Sequence, residues 1–341
     1  MTSEEDRPSQ GVTMRQVADE LGISLSTVSL ALRGKTVIAS ETRERVLREA
    51  KRLGYVYNRS AANLRQRRRT LVGLVVPDIT NPFVGEAALG LQSALAEQGQ
   101  FAVLANTRDE VSVQGDVIAS LIEERAAGIV LIPAMGTESE DLALIHESNT
   151  PAVLMNRDVP GSGLPLVGTE DAEIVRVAMD HLSEVHGIKE AAYFGGIGEA
   201  GPHVVRKEAF DGELARRQIK DVEAWDTFTG PNPAAACEAA SSLLKTEGLP
   251  EAILCHSDSI AIGLIRALDE ARIPADRCAI VAIDGIAASA MTTPPLTTVA
   301  VDPAHMGRDC GRLLRPSGPA ERFSLPPRLI VRRSCGCGGR A

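Results

Sequence analysis

Residues 13–32 read TMRQVADELGISLSTVSLAL, and two short helices joined by a glycine turn account for the whole stretch. Thr13-Met14-Arg15-Gln16 forms a capping box, in which the threonine caps the helix start and the glutamine reaches back to it. Val17, Ala18 and Leu21 point one way, Gly22 falls where a tight turn needs positive φ, and Ser24 can cap the second helix. Val28 and Leu32 face back toward the first helix, which leaves Leu25, Ser26, Ser29 and Arg33 on the outer surface. A third helix is expected from Ser40, with Glu41 and Glu44 in its first turn to suit the helix dipole and a stop at Gly54. The pattern is that of a helix-turn-helix, and residues 59–69, RSAANLRQRRR, follow it as a basic connector.

Charge supports a nucleic-acid partner at this end only. The chain of 341 residues carries a net charge of −9, but residues 11–70 carry +8 and residues 71–341 carry −15. A compact cationic head on an acidic body confines phosphate attraction to the head. Hydrophobic content of 44% is ordinary for a globular protein, and the longest apolar runs fall far short of the ~18 residues a membrane span needs. The N-terminus MTSEEDRPSQ is polar and acidic rather than a signal peptide, so a cytoplasmic protein without a membrane partner is expected. Residues 1–11 have the composition of a disordered tail.

From Leu71 onward, short β-rich runs alternate with helical patterns. Candidate strands are 71–77, 101–107, 128–133, 152–156, 191–195, 252–256 and 279–283. Amphipathic segments lie between them, such as 85–98, where Leu91, Leu95 and several alanines recur at helical spacing. Continuous apolar strands separated by helices imply parallel sheets covered on both faces. The expected fold class is therefore a small all-α helix-turn-helix domain followed by an α/β body of two doubly wound parallel sheets. Ligands in such bodies bind beyond the carboxyl ends of the strands. Asp78, Asn81, Asn156, Asp258 and Asp284 all follow candidate strands; any one of them could be a cap or turn, but together they suggest a cleft between lobes.

Other chemistries find little support. There is no GxxxxGK[ST], GxSxG or HExxH, and Gly195-Gly196-Ile197-Gly198 lacks the spacing GxGxxG, so no enzyme and no cofactor are expected. The six cysteines, at 237, 255, 278, 310, 335 and 337, are scattered and are read as reduced thiols. Cys335 and Cys337 could hold half of a metal site. No second pair or nearby histidine supplies the other ligands, so no metal is expected and residues 335–341 are read as a flexible tail.

With these parts together, the chain resembles the lactose-repressor (LacI/GalR) family of bacterial transcription regulators. The resemblance runs from residue 12 to 334 and rests on VADELGISLSTVSLALRG, SETRERVLREAKRLGYVYN, GLVVPDITNPF, SDSIAIGLIRAL and TPPLTTVAVD. It implies a DNA-binding domain at 12–58, a hinge helix and linker at 59–70, and an effector-binding and dimerisation domain at 71–334. The first lobe would take about 71–168 and 299–322 and the second about 169–298 and 323–334, with crossovers near 169, 299 and 323. The second helix would enter the major groove of a palindromic double-stranded operator, with Leu25, Ser26 and Leu30 facing bases. Leu30 stands where arginine or histidine is frequent, so Arg33 or Ser26 would carry more of the hydrogen bonding. Thr13, Thr27, Ser29, Thr42, Tyr55 and Asn58 match phosphate-contacting positions. Ser60 to Leu64, Ala61 included, matches the hinge helix whose leucine, here Leu64, pries open a base step in the minor groove.

In the cleft, the resemblance assigns effector contacts to Arg206 and Asp284, with Asn156 and Ser257 at places often held by aspartate and asparagine. Phe83 follows the pattern of an aromatic lid, Asp78 borders the cleft, and Asn232 stands where a stacking aromatic is frequent. A donor fork facing a carboxylate suits a polyhydroxylated or anionic ligand, so a small carbohydrate-like effector is implied. The departures at Asn156, Ser257 and Asn232 also support a second reading, in which a protein partner or no ligand exerts control. A homodimer is expected, because two recognition helices must match two half-sites and the C-terminal residues carry no heptads.

Overall fold

The structure is a computed structural model that describes residues 12–32, 37–55, 69–198, 201–314 and 321–337. The chain divides into two compact units, Met1–Arg68 and Arg69–Ala341.

In the first unit, helices α1 (Met14–Leu21), α2 (Leu25–Leu32) and α3 (Ser40–Leu53) enclose a small core of Val17, Ala18, Val28, Ala31, Val46 and Ala50. The capping box forms: the Thr13 hydroxyl accepts from the Gln16 N–H at 3.4 Å, and Gln16 Oε1 accepts from the Thr13 N–H at 2.7 Å. Gly22 and Gly54 end α1 and α3 in the left-handed conformation, at φ of 64° and 72°. The inner face of α2 is Val28 and Ala31, with Leu32 half-buried and packed against the same core.

The second unit is built on two six-stranded sheets. Strands β1 (Leu71–Val76), β2 (Phe101–Asn106), β3 (Gly128–Leu131), β4 (Ala152–Met155), β5 (Leu166–Gly168) and β11 (Arg322–Ser324) form the first, in the order β11-β5-β4-β3-β1-β2. Every neighbouring pair in it is parallel. The second contains β6 (Glu190–Phe194), β7 (Lys220–Asp221), β8 (Ala252–Cys255), β9 (Ala279–Asp284), β10 (Thr297–Ala300) and β12 (Arg328–Ile330), in the order β12-β10-β9-β8-β6-β7. Here β12 runs antiparallel to β10, an exception to the all-parallel expectation.

Five strands escaped sequence reading: β5, β7, β10, β11 and β12. Four of them have two or three residues, too short for a periodic signal, and Thr297–Ala300 offers only one branched aliphatic, Val299. β2 departs from its expected burial, with Phe101, Val103 and Leu104 between 41% and 46% exposed at the edge of the first sheet.

The chain crosses between sheets from β5 into helix α7 (Asp171–His186), from β10 into helix α11 (Pro303–Leu313), and from β11 into β12. Val299 and Ala300 thus pair within the second sheet and Phe323 and Ser324 within the first, which corrects the expected lobe boundaries by about two residues. Helix α11 returns to the first lobe and crosses helix α4 (Pro82–Glu97) at close range. A Cβ built on Gly90 would lie 1.9 Å from the Ala304 carbonyl oxygen, and one on Gly307 2.0 Å from that of Ala87, so glycine is what permits the crossing.

Among the described residues no helix is long and apolar enough to cross a membrane. The expected flexible tail is corrected at its start, because Cys335 is 2% exposed and Ser334 bonds both Thr297 and Ile280.

Candidate functional site

In the first unit, the candidate DNA-reading residues lie on and around α2. Leu25 and Ser26 are exposed, and Thr27, Ser29 and Leu30 are half-buried beside the buried Val28. The Ser24 hydroxyl accepts from the Thr27 N–H at 3.1 Å and lies 2.7 Å from the Ser26 hydroxyl and 2.8 Å from that of Thr27. This local network fixes the first turn of α2 and orients the hydroxyl of Ser26. Thr13 is exposed at the start of α1, and Thr42 and Tyr55 are half-buried at the two ends of α3. Helix N-termini and hydroxyls of this kind suit phosphate oxygens. Arg33, Asn58, Ala61 and Leu64 lie outside the described residues.

In the second unit, the residues expected around an effector separate into two groups. Arg206, on helix α8 (Pro202–Arg217), is 6% exposed and has carboxylates within reach. Its Nε donates to Asp171 Oδ1 at 2.6 Å and its Nη1 to the His256 carbonyl at 2.9 Å, while Nη2 makes no hydrogen bond among the described residues. Burial opposes its charge, but Asp171 and Asp284 more than offset this and hold the guanidinium protonated. His256, whose Nδ1 lies 2.7 Å from the Tyr193 hydroxyl, is kept neutral by burial and by Arg206.

Asp284 ends β9 at φ 118°, and burial raises its carboxyl well above the usual range, helped by the charge of Asp258. Asp258, at the start of helix α10 (Asp258–Glu270), is raised by burial although its Oδ2 accepts from the Gly285 and Ile286 N–H groups at 2.9 Å each. Its Oδ1 is buried without a hydrogen-bond partner among the described residues, and this desolvation favours the neutral carboxyl.

Asn156, at φ 66° after β4, lines a cavity of about 620 Å³ walled by both lobes. Asp171, Arg157 and Phe323 line it too. Asp171 therefore faces this cavity while gripping Arg206 behind it.

The other expected contacts are engaged elsewhere. The Ser257 hydroxyl caps α10 by accepting from the Ile260 N–H at 3.3 Å, and Asn232 caps helix α9 (Pro233–Thr246) through the Ala235 N–H at 3.0 Å. Phe83 is 4% exposed and packs in the core of the first lobe. Asp78 closes a local turn through the Thr80 N–H and hydroxyl, at 2.8 and 2.7 Å. Sequence reading missed Asp171, whose only signal was its position just after a crossover. It also missed that Cys335 and Cys337 lie beside His181 and His186, 154 residues away in the chain for the pair His181 and Cys335.

A three-helix head of helix-turn-helix form and a two-lobed α/β body with a cleft between the lobes fit the class of DNA-binding transcription regulators. Residues 13–58 match the family described as bacterial regulatory proteins, lacI family, and residues 179–335 match the periplasmic binding protein-like domain. The chain thus carries a lacI-family helix-turn-helix domain ahead of a periplasmic-binding-protein-like domain. It is 29% identical to the ribose operon repressor of Halalkalibacterium halodurans, over 94% of this chain and 96% of the relative. Among solved structures it is similar to the lac repressor dimer bound to operator and the anti-inducer ONPF, with TM-score 0.81, 22% identity and coverage of 96% and 99% of the two chains. It is also similar to the transcriptional regulator CelR in complex with cellobiose, with TM-score 0.69, 26% identity and coverage of 96% and 100%. The protein is thus a DNA-binding transcriptional regulator rather than an enzyme.

Proposed function

We propose that this regulator is a repressor that binds a palindromic operator as a homodimer and is controlled by a small carbohydrate-like effector in the cleft between the lobes. The observation that carries the effector reading is a cavity walled by both lobes and lined by Asp171, which holds Arg206 of the buried charge cluster with Asp284 and Asp258 behind it. The Asp171 carboxylate, in the cavity wall, accepts from sugar hydroxyls, and the Arg157 guanidinium in the same wall offers a cation to an anionic group. The size of the cavity is in the range of small-molecule sites, and the named relatives include a ribose operon repressor and a cellobiose-bound regulator.

Leu25, Ser26 and Leu30 would read bases. Thr13, Thr27, Ser29, Thr42 and Tyr55 would hold phosphates, and Arg33, Asn58, Ala61 and Leu64 would complete the contact set. The exposed apolar residues Leu89, Phe101, Val103 and Leu104 on α4 and β2 supply a surface for a second copy. Operator binding places the protein with the chromosome in the cytoplasm. Effector binding acts only through its differential affinity for the operator-bound and free states of the dimer.

A melting-temperature screen against pentoses, hexoses, disaccharides and sugar phosphates tests the reading, since a cleft ligand must stabilise the folded chain. The matching compound is expected to raise Tm and change operator affinity in the same concentration range. Ser257 acting as a cap and Arg206 already gripping Asp171 favour a second reading, a cleft closed to metabolites with a protein partner in control. An absence of any shift across the screen decides for it.

A further inference from the structure

We propose that His181, His186, Cys335 and Cys337 form a tetrahedral site for one zinc ion, which fastens the C-terminal segment to the end of α7. One ligand atom from each of the four lies within 4.8 Å of every other. Cys335 Sγ is 3.4 Å from His181 Nε2, and Cys337 Sγ is 3.6 Å from His181 Nε2 and 3.2 Å from His186 Nε2. The two Nε2 atoms are 3.3 Å apart. A tetrahedron with Zn–S near 2.3 Å and Zn–N near 2.0–2.1 Å has S···N edges of about 3.5 Å and an N···N edge of about 3.3 Å. Four of the six edges, at 3.2 to 3.6 Å, match that figure, and the other two lie within 4.8 Å. Hydrogen bonding explains the convergence less well, because two Nε2 atoms at 3.3 Å share one proton and the sulfurs offer only weak S–H donors.

The local chain is shaped for this arrangement. His181 and His186 have a four-residue spacer, within the range common in zinc sites, and their rings meet edge to face at 5.0 Å between centroids. Cys-x-Cys is shorter than the usual spacing, and Gly336 at φ 89° provides the turn that lets both thiols face the same point. The Thr297 hydroxyl donates to Cys335 Sγ at 3.1 Å, an outer hydrogen bond of the kind that orients a ligand thiolate. His186 is the last residue of α7, where the negative end of the helix dipole favours a cation. Two thiolates and two imidazoles in a tetrahedron suit zinc over oxygen-seeking cations such as magnesium or calcium. His181 and Cys335 are buried while Cys337 is exposed, so the site has a dry side and an entry. Binding releases the two thiol protons to solvent.

The ion would join two segments that each follow a crossover between lobes: α7, which begins just after β5, and the stretch after β12. It would therefore stiffen the second lobe. The test uses the untagged full chain purified with reductant and without chelator, measured by elemental analysis and by its absorption after exchange with Co2+. One zinc per chain is expected, together with thiolate-to-cobalt charge-transfer bands and the intense visible bands of tetrahedral cobalt. Cys337→Ser and His186→Ala should each lose most of the metal while retaining the circular-dichroism spectrum of the wild type. Cys237→Ser should keep the metal. Trace metal in the wild type with an octahedral cobalt spectrum overturns the proposal, as does full zinc content in a Cys335→Ser/Cys337→Ser double variant.

Discussion

Arg206 and Asp171 lie 35 residues apart in the chain, and their contact sets how the cleft works at the scale of single residues. Removing the arginine leaves a largely buried carboxylate without its partner, a change that typically costs 3–5 kcal/mol. Arg206→Ala is therefore expected to lower stability by about 3 kcal/mol in urea unfolding and to abolish the effector response while operator affinity persists. A variant still released by the effector would place the ligand elsewhere. Asp284 and Asp258 give a pH signature. Their carboxyls are raised in the folded chain, so the folded state holds protons that the unfolded state has already released. The resulting stability is complete below the unfolded aspartate value of about 3.9 and is lost as pH rises through the higher folded values. The groups facing the pair are Arg206, Asp171, Arg332 and the Thr298 hydroxyl, of which Asp171 adds to the raising and the others oppose it. Asp284→Asn should flatten the decline in Tm across about pH 5 to 8, and a wild type whose Tm is already flat there would contradict the assignment.

At the scale of elements, capping and close packing decide stability. Thr13→Ala should cost the DNA-binding unit about 1 kcal/mol by removing one side of the capping box, read as a lower Tm of that unit. Gly307→Ala forces a methyl group against the Ala87 carbonyl where α11 crosses α4, and about 3 kcal/mol of destabilisation is expected in urea unfolding. The two sites differ in how much the sequence showed. The capping box and the Gly22 turn were legible because a capping pair three residues apart is a local signal. The glycine-to-backbone contact was not, since Gly90 and Gly307 look like ordinary helix-weakening residues until the helices are brought together.

The whole molecule separates its charge, with +8 on residues 11–70 and −15 on residues 71–341. Operator affinity should consequently fall steeply with salt, with a slope in log–log form of about −0.9 per phosphate contacted, while residues 71–341 alone show no DNA binding in the same gel-shift series. Leu64→Ala is expected to remove most specific operator affinity and leave weak, salt-sensitive non-specific binding. Equal operator affinity for variant and wild type at fixed salt would contradict a hinge role for Leu64.

The sequence by itself determined the helix-turn-helix, the alternation that builds two doubly wound sheets, and the class of regulator, because caps, turns and hydrophobic periods act over a few residues. The placement of the effector candidates was only partly legible. Arg206 and Asp284 belong to one buried charge cluster, whereas Ser257 and Asn232 turned out to cap helices and Phe83 to fill a core. Tertiary structure alone decided that Asp171 holds Arg206 and that a Cys-x-Cys after the last strand meets two histidines at the end of a helix. Such meetings depend on sheet order and crossovers, which bring residues some 150 positions apart within bonding reach and leave no pattern in any local window of the chain.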